Sequence, residues 1–156
     1  MLKITKYLKK NFLLDNTGKS PAFFYKKKNL LVNKKIAKEL IKFSKSNNNV
    51  NCRICLHKTK KNKLHNMIVL LNKKNKDYPH LHNHSDEIYQ IMNGSIRVST
   101  YNKKLKIKKT YLLNNKNTIF KVTKKDIHKV EPITQIAIFH EIKLRGYPFS
   151  MYFKRS

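Results

Sequence analysis

The 156 residues, 40% of them hydrophobic, are enough for one folded domain with a core of its own. No apolar run approaches the roughly 20 residues of a membrane span, and no small-residue cleavage site follows the basic N-terminus. These features argue against a disordered chain, a membrane-spanning protein and a secreted protein, so we expect a cytoplasmic one.

The formal net charge of +28 raises the question of an anionic partner, because Lys and Arg neutralise phosphates. However, 32 of the 36 basic residues are Lys and only 4 are Arg, whose planar fork pairs with phosphates and guanine edges. The lysines are spread along the chain and accompany 18 Asn, a bias that an AT-rich genome would impose on any surface. We therefore favour compositional drift, and a basic nucleic-acid-binding protein is the alternative.

Residues 1–28 contain two short apolar patches, and the sequence leaves open whether these form strands or a packed arm. The pattern then predicts a helix over about residues 33–46, where Ile36, Leu40 and Phe43 recur on one face and Asn33 can cap the first turn. We divide the chain into an N-terminal arm with this helix (1–49) and a barrel domain (50–156).

From Val50 onward the pattern changes to short extended runs without intervening helices. This change predicts an all-β, antiparallel sandwich or barrel. Asn93-Gly94 lies between two apolar runs and predicts a hairpin turn, because both residues tolerate a positive φ. The predicted strands cover residues 53–57, 64–71, 78–82, 87–93, 95–101, 105–113, 118–122, 127–130 and 135–143.

Cys52 and Cys55 form a lone C-x-x-C in a segment that looks extended. A zinc site would need a second pair of ligands, and a redox motif should open a helix. We predict two reduced thiols on opposite faces of a strand.

Three of the seven histidines combine with a glutamate in a pattern suited to a metal ion. His80 and His82 stand two residues apart, so in a strand both imidazoles project from the same face. After the turn residues 83–86, Glu87 opens a new strand, and a hairpin there would return its carboxylate to the histidine pair. His128 would supply a third nitrogen from a distant strand. The alternative is a chance cluster of exposed or core histidines.

These residues resemble known sequence motifs. The segment from His80 to Glu87, with Gly94 at its end, resembles the first cupin motif, H-x-H-x(3,4)-E-x(6)-G. The second cupin motif, P-x-G-x-x-H, keeps only its histidine in Thr123-Lys124-Lys125-Asp126-Ile127-His128. Residues 29–150 resemble the WbuC family of cupin-fold metalloproteins. The Gly-Pro-aromatic motif near the C-terminus of that family is altered here to Gly146-Tyr147-Pro148-Phe149.

The resemblance implies a small antiparallel β-barrel of the cupin type, a jelly-roll-like double-stranded β-helix, with an N-terminal helix. It implies one divalent transition metal ion, Zn, Fe, Ni or Mn, held by His80, His82, Glu87 and His128. The residues expected on the pocket wall are Arg53, His57, Glu141 and, on the same strand face as Glu87, Tyr89.

The pocket residues each have a simpler interpretation. Arg53 would be a surface cation, His57 a core histidine bonded to backbone, and Glu141 the partner of a nearby lysine. His65, His84 and His140 are predicted to be structural or exposed.

Members of the WbuC family tend to occur among genes for O-antigen and other surface polysaccharides. The resemblance therefore implies a metal-dependent isomerase, epimerase or lyase that acts on a sugar or nucleotide-sugar, although no residue is assigned a catalytic role. A non-catalytic module that binds a small sugar-derived ligand through the metal is the alternative. Because cupins commonly dimerise, a homodimer is also expected, without a membrane partner.

Overall fold

A computed structural model describes residues 1–75, 77–144 and 151–153, which contain two helices and twelve strands. The helices are α1 (Lys6–Asn11) and α2 (Lys34–Ser46). The strands are β1 (Phe12–Asp15), β2 (Ala22–Tyr25), β3 (Cys52–Cys55), β4 (Leu64–Asn72), β5 (His80–Leu81), β6 (Glu87–Asn93), β7 (Ile96–Tyr101), β8 (Ile107–Leu113), β9 (Ile119–Val122), β10 (Ile127–Pro132), β11 (Ile136–Leu144) and β12 (Met151–Tyr152). In this part of the chain, neither helix has the length and apolar character required to cross a bilayer.

The strands form two sheets that enclose one core between them. The larger sheet has the order β1-β2-β3-β4-β11-β6-β9, and the smaller has the order β12-β5-β10-β7-β8. Buried side chains from both sheets, including Tyr89 and Phe139 from one and Val98 and Leu113 from the other, pack together. The predicted all-β class is confirmed, in the form of a sandwich. Within the described residues no ladder joins the two sheets, so hydrogen bonds do not close a barrel.

Helix α2 covers the outer face of the larger sheet and matches the predicted helix. The Asn33 side chain accepts hydrogen bonds from the backbone N–H groups of Lys35 (3.0 Å) and Ile36 (3.3 Å), which caps the first turn. Its apolar stripe buries Leu40 and Phe43. Because these side chains pack in one cluster with residues from β3 and β4, the helix is anchored by packing.

The N-terminal segment, which the sequence left open, contributes a helix and two strands. β1 and β2 pair as an antiparallel hairpin, and β2 then pairs in parallel with β3. Leu8, Phe12 and Phe23 from this segment are buried in the same cluster as α2. The first 28 residues therefore belong to the larger sheet and its helical layer.

The predicted hairpin at Asn93-Gly94 is wrong, because β6 and β7 lie in different sheets. Gly94 has a φ of +74°, and a Cβ there would lie 2.6 Å from the carbonyl oxygen of Ile136. The positive φ and the close backbone approach both require glycine, as the sequence pattern indicated. The turn moves the chain from one sheet to the other.

The two cysteines are free, as predicted, and both are buried. Cys52 packs on the helical side of β3, whereas Cys55 packs on the other face with Phe24 and Met67. Burial raises the pKa of the Cys52 thiol to about 12 and that of Cys55 to about 11. Both thiols are therefore protonated and unreactive at neutral pH.

Candidate metal centre

Four side chains predicted as ligands come together between the two sheets. One donor atom from each of His80, His82, Glu87 and His128 lies within 4.8 Å of the other three. All four are buried, with exposures of 8%, 8%, 1% and 1%. Two ligands on one ion with bonds of 2.0–2.2 Å lie at most about 4.4 Å apart, so shifts of a few tenths of an ångström would seat a cation.

The two sheets contribute different ligands. His80 on β5 and His128 on β10 are directly opposed in neighbouring antiparallel strands, and His82 follows β5. Glu87 begins β6 in the larger sheet. The predicted hairpin between the histidine pair and Glu87 is therefore wrong, because the carboxylate faces the imidazoles across the sandwich. The chain between them crosses from one sheet to the other.

Backbone carbonyls fix the orientation of two imidazoles. The Nδ1–H of His80 donates to the carbonyl oxygen of Tyr78 (3.1 Å), and the Nδ1–H of His128 donates to that of Asp126 (2.9 Å). A carbonyl can only accept, so Nδ1 carries the proton in each ring, and in the neutral ring Nε2 carries a lone pair. This arrangement is typical of histidines that bind a metal through Nε2.

The Nε2 atoms of two candidate ligands converge on the Glu87 carboxylate. Nε2 of His82 lies 2.7 Å from one carboxylate oxygen, and Nε2 of His128 lies 3.0 Å from the other. Burial, and the neighbouring His128, lower the pKa of His80 to about 4, so this imidazole is neutral at neutral pH. Three imidazoles and a carboxylate gathered at such distances are the donor set that a divalent cation requires.

Lys143 and Tyr89 hold the Glu87 carboxylate in place. The Lys143 ammonium lies 2.7 Å from oxygens of both Glu87 and Glu141. The Tyr89 hydroxyl donates to Glu87 and lies 3.2 Å from Nε2 of His128. Burial alone would raise the pKa of Glu87, but Lys143 and the hydrogen bonds from His128 and His82 hold it well below its ordinary value. Glu87 is therefore ionised.

Lys143 is a site residue that the sequence motifs do not indicate. On β11 it follows Phe139 and Glu141 at intervals of two, which places the three side chains on the inner face of the sheet. In the strand register Lys143 is the direct partner of Glu87 on β6. The alternation was visible in the sequence, but the pairing of β11 with β6 is a long-range contact that the sequence did not indicate.

The turn before His128 keeps the shape that the second cupin motif specifies. Lys125 occupies the position of the motif's glycine and has a φ of +67°. Its backbone N–H donates to the carbonyl oxygen of His82 (2.8 Å), and the N–H of Lys124 donates to the Asp86 carboxylate (2.9 Å). These bonds tie the turn to the loop that carries two other candidate ligands.

A cavity of about 320 Å³ is lined by two of the candidate ligands, His80 and Glu87. Of the residues that the sequence suggested for the pocket wall, Arg53, Tyr89 and Glu141 line this cavity. His57 is not among its lining residues: its Nδ1 accepts from the backbone N–H of Asn66 (3.1 Å), and its ring stacks on His65.

The remaining histidines lie away from the centre. His84 is exposed on the turn before β6, and the His140 ring bonds the side-chain oxygen of Asn66. Both placements agree with the sequence prediction. The altered Gly-Pro-aromatic motif at residues 146–149 lies outside the described residues.

The sequence profile of a family described as a domain of unknown function, DUF6016, matches residues 32–113, which is 82 of the 156 residues. The chain belongs to the DUF6016 family. The DUF6016 match runs from two residues before α2 to the end of β8 and includes His80, His82 and Glu87, whereas His128 lies beyond it. No curated protein matches the chain in sequence.

Solved structures resemble the DUF6016 chain in fold at low sequence identity. Protein SO0799 from Shewanella oneidensis is 12% identical over 67% of this chain and 73% of its own, with a TM-score of 0.54. CapF, solved with an inhibitor, is 8% identical over 68% of this chain and 32% of its own, also with a TM-score of 0.54. This likeness shows the fold, and the DUF6016 chain has a cupin fold.

Oxalate decarboxylase from Bacillus subtilis, a protein with Mn(II) centres, matches 58% of this chain at 16% identity and a TM-score of 0.48. The DUF6016 chain spans only 24% of that enzyme's length.

Proposed function

We propose that this protein is a metal-binding cupin in which His80, His82, Glu87 and His128 hold one divalent transition metal ion. The convergence of donor atoms supports this proposal most directly, because Nε2 of His82 and Nε2 of His128 lie 2.7 and 3.0 Å from oxygens of an ionised carboxylate. Burial makes such a cluster costly unless a cation or protons compensate it.

Three imidazole nitrogens and one carboxylate oxygen suit Zn, Fe, Ni or Mn, and metal availability in the cell decides among them. When bound, such an ion would offer one or two open positions and polarise an oxygen of a ligand as a Lewis acid. Lys143 would hold the carboxylate of Glu87, while Tyr78 and Asp126 would hold the imidazoles through their carbonyl groups.

We propose further that the protein is of the WbuC type and acts on a sugar or nucleotide-sugar in the synthesis of O-antigen or another surface polysaccharide. An isomerase, epimerase or lyase reaction would use the Lewis acid that the site can hold. The motif resemblance from His80 to Gly94 supports this proposal, as does a cavity of about 320 Å³, within the range of small-molecule sites. A non-catalytic module that binds a sugar-derived ligand would use the same site.

The metal content of purified variants tests the ligand assignment. Wild-type protein is expected to carry about one divalent transition metal ion per chain, and His80→Ala or His82→Ala is expected to lose most of it. The remaining ligands are held by strands and cannot restore the coordination number. His84→Ala is the matched control, because His84 is exposed on the adjoining turn and should retain the metal.

Elemental analysis of the three variants, with circular dichroism to check the fold, measures this result. Loss of the metal from His84→Ala but not from His82→Ala would contradict the ligand assignment. Wild-type protein that binds no transition metal would contradict the proposed function.

A further inference from the structure

The charged residues that the structure describes around the cavity form three cations and three carboxylates. The cations are Lys19, Arg53 and Lys143, and the carboxylates are Asp77, Glu87 and Glu141. They balance only while no divalent ion is bound. Imidazoles that coordinate a metal do so as neutral ligands, so with such an ion bound the cavity carries two positive charges in excess.

The three cations differ in whether a carboxylate forms an ion pair with them. Lys19 lies 2.5 Å from Asp77, and Lys143 lies 2.7 Å from both Glu87 and Glu141. Arg53 is half-buried, and no carboxylate in the described part of the chain lies within ion-pair distance of its guanidinium.

The Arg53 guanidinium interacts with the thiol of Cys55, which stands two residues along the same face of β3. Burial raises the pKa of that thiol to about 11, so the thiol is protonated and does not cancel the charge of Arg53. The guanidinium has five N–H donors in a planar fork, which matches the oxygens of a carboxylate or a phosphate. Arg53 is therefore the cation on this wall with the capacity to bind a ligand's anionic group.

We propose that the cavity takes a small anionic ligand whose carboxylate or phosphate group is held by Arg53. The inference rests on the proposed function, because the excess positive charge arises when a divalent ion is bound. A buried excess of charge is costly, and an anion that enters the cavity removes this cost while an equally large neutral molecule does not. The ligand would be a sugar acid or a sugar phosphate in preference to a neutral sugar.

Calorimetric titration of the full chain loaded with Co(II) tests the preference for anions. The probes are succinate, glycerol 3-phosphate and succinamide, which resembles succinate in shape but is neutral. Succinate or glycerol 3-phosphate is expected to bind at least about tenfold more tightly than succinamide, since a charged hydrogen-bonded pair contributes about this much. Whichever of the two anions binds more tightly identifies a carboxylate or a phosphate as the recognised group.

Substitutions of Arg53 test whether this side chain binds the anion. Arg53→Gln is expected to weaken binding of the preferred anion at least about tenfold, and Arg53→Lys, which keeps the charge but not the fork, is expected to weaken it less. Lys38→Gln is the matched control, because it removes one positive charge from the exposed side of α2, and it should change the affinity less than about twofold.

The cobalt content of each sample separates the two proposals. Wild-type protein that takes up no cobalt would overturn the proposed function and this inference with it. Normal cobalt content with equal affinity for succinate and succinamide would overturn this inference alone. So would an Arg53→Gln variant that retains its cobalt and binds the anion as tightly as Lys38→Gln does. If Arg53→Gln does not fold, an Arg53→Lys variant with unchanged affinity would overturn the inference in its place.

Discussion

The imidazole of His80 is buried between the sheets, and its protonation is coupled to folding. Burial, and the neighbouring His128, lower its pKa from the ordinary 6.5 to about 4 in the folded protein. Between these values the unfolded chain binds a proton that the folded chain excludes. The stability that His80 contributes is therefore present above about pH 6.5 and is lost as the pH falls towards 4.

Metal-free protein is consequently expected to lose about 2–3 kcal/mol of unfolding free energy through His80 between about pH 6.5 and pH 4.5. Urea unfolding of chelator-treated protein at the two pH values measures this loss. His80→Asn should show a smaller loss than the wild type, whereas His84→Asn, altered at an exposed position, should show the same loss. Equal losses in the wild type and His80→Asn would contradict the assigned role of His80.

Single residues were well predicted where the relevant signal is local. The spacing of His80 and His82 places both on one strand face, and the need for glycine at position 94 follows from the motif. Lys143 was missed because its significance comes from its register with Glu87, 56 positions away along the chain. A register between distant strands depends on the packing of the whole sheet, which local patterns do not encode.

At the scale of elements, the turn at residues 123–126 connects β9 to β10 and sets the position of His128. A side chain at positive φ places its Cβ too close to the backbone, which costs about 1–2 kcal/mol relative to glycine. Lys125 adopts this conformation, and its N–H still bonds the carbonyl of His82. The backbone shape of the motif is thus retained at some cost in stability.

Lys125→Gly is therefore expected to raise the unfolding free energy by about 0.5–1 kcal/mol, because relief of the backbone strain outweighs the added freedom of the unfolded chain. Lys124→Gly, at a neighbouring position without positive φ, is the matched control and should lower it by about 0.4–1 kcal/mol. Urea denaturation of both variants without metal measures the two changes. A destabilised Lys125→Gly variant would show that the Lys125 side chain stabilises the turn.

The elements themselves were largely predicted by periodicity, and the errors concern which strands pair. α2 begins one residue after its predicted cap, and β6 has the predicted bounds. The two expected hairpins, before Glu87 and at Asn93-Gly94, are both crossings between sheets. A turn sequence specifies a local change of direction, whereas the sheet that a strand joins depends on which of its faces is buried.

The N-terminal segment and the cupin strands share one sheet and one buried cluster. Leu8 and Phe23 pack with Phe43 of α2 and Ile54 of β3. The short patches in residues 1–28 gave no clear periodicity, and their burial depends on α2 and β3, which come later in the chain. The sequence could therefore not settle between strands and a packed arm.

The positive charge is also a property of the whole molecule. Exposed lysines occur on both helices and on strands of both sheets, for example Lys10, Lys42, Lys108 and Lys121. Arg97, one of only four arginines, lies 3.8 Å from Glu131. Such a surface attracts polyanions without the arginine forks that read bases or clamp phosphates. We therefore expect this charge to give non-specific attraction to polyanions that does not depend on the candidate metal centre.

Binding to duplex DNA is accordingly expected to be weak and insensitive to sequence. It should be largely abolished when the salt concentration is raised from about 0.05 M to about 0.2 M, because each lysine that neutralises a phosphate releases a counterion and so adds to the salt dependence. Fluorescence anisotropy with two unrelated duplexes at both salt concentrations measures this. Chelation of the metal and Arg53→Gln should leave DNA binding unchanged, since both act inside the cavity. Tight binding at the higher salt that prefers one duplex would contradict compositional drift as the origin of the charge and would favour a nucleic-acid-binding function.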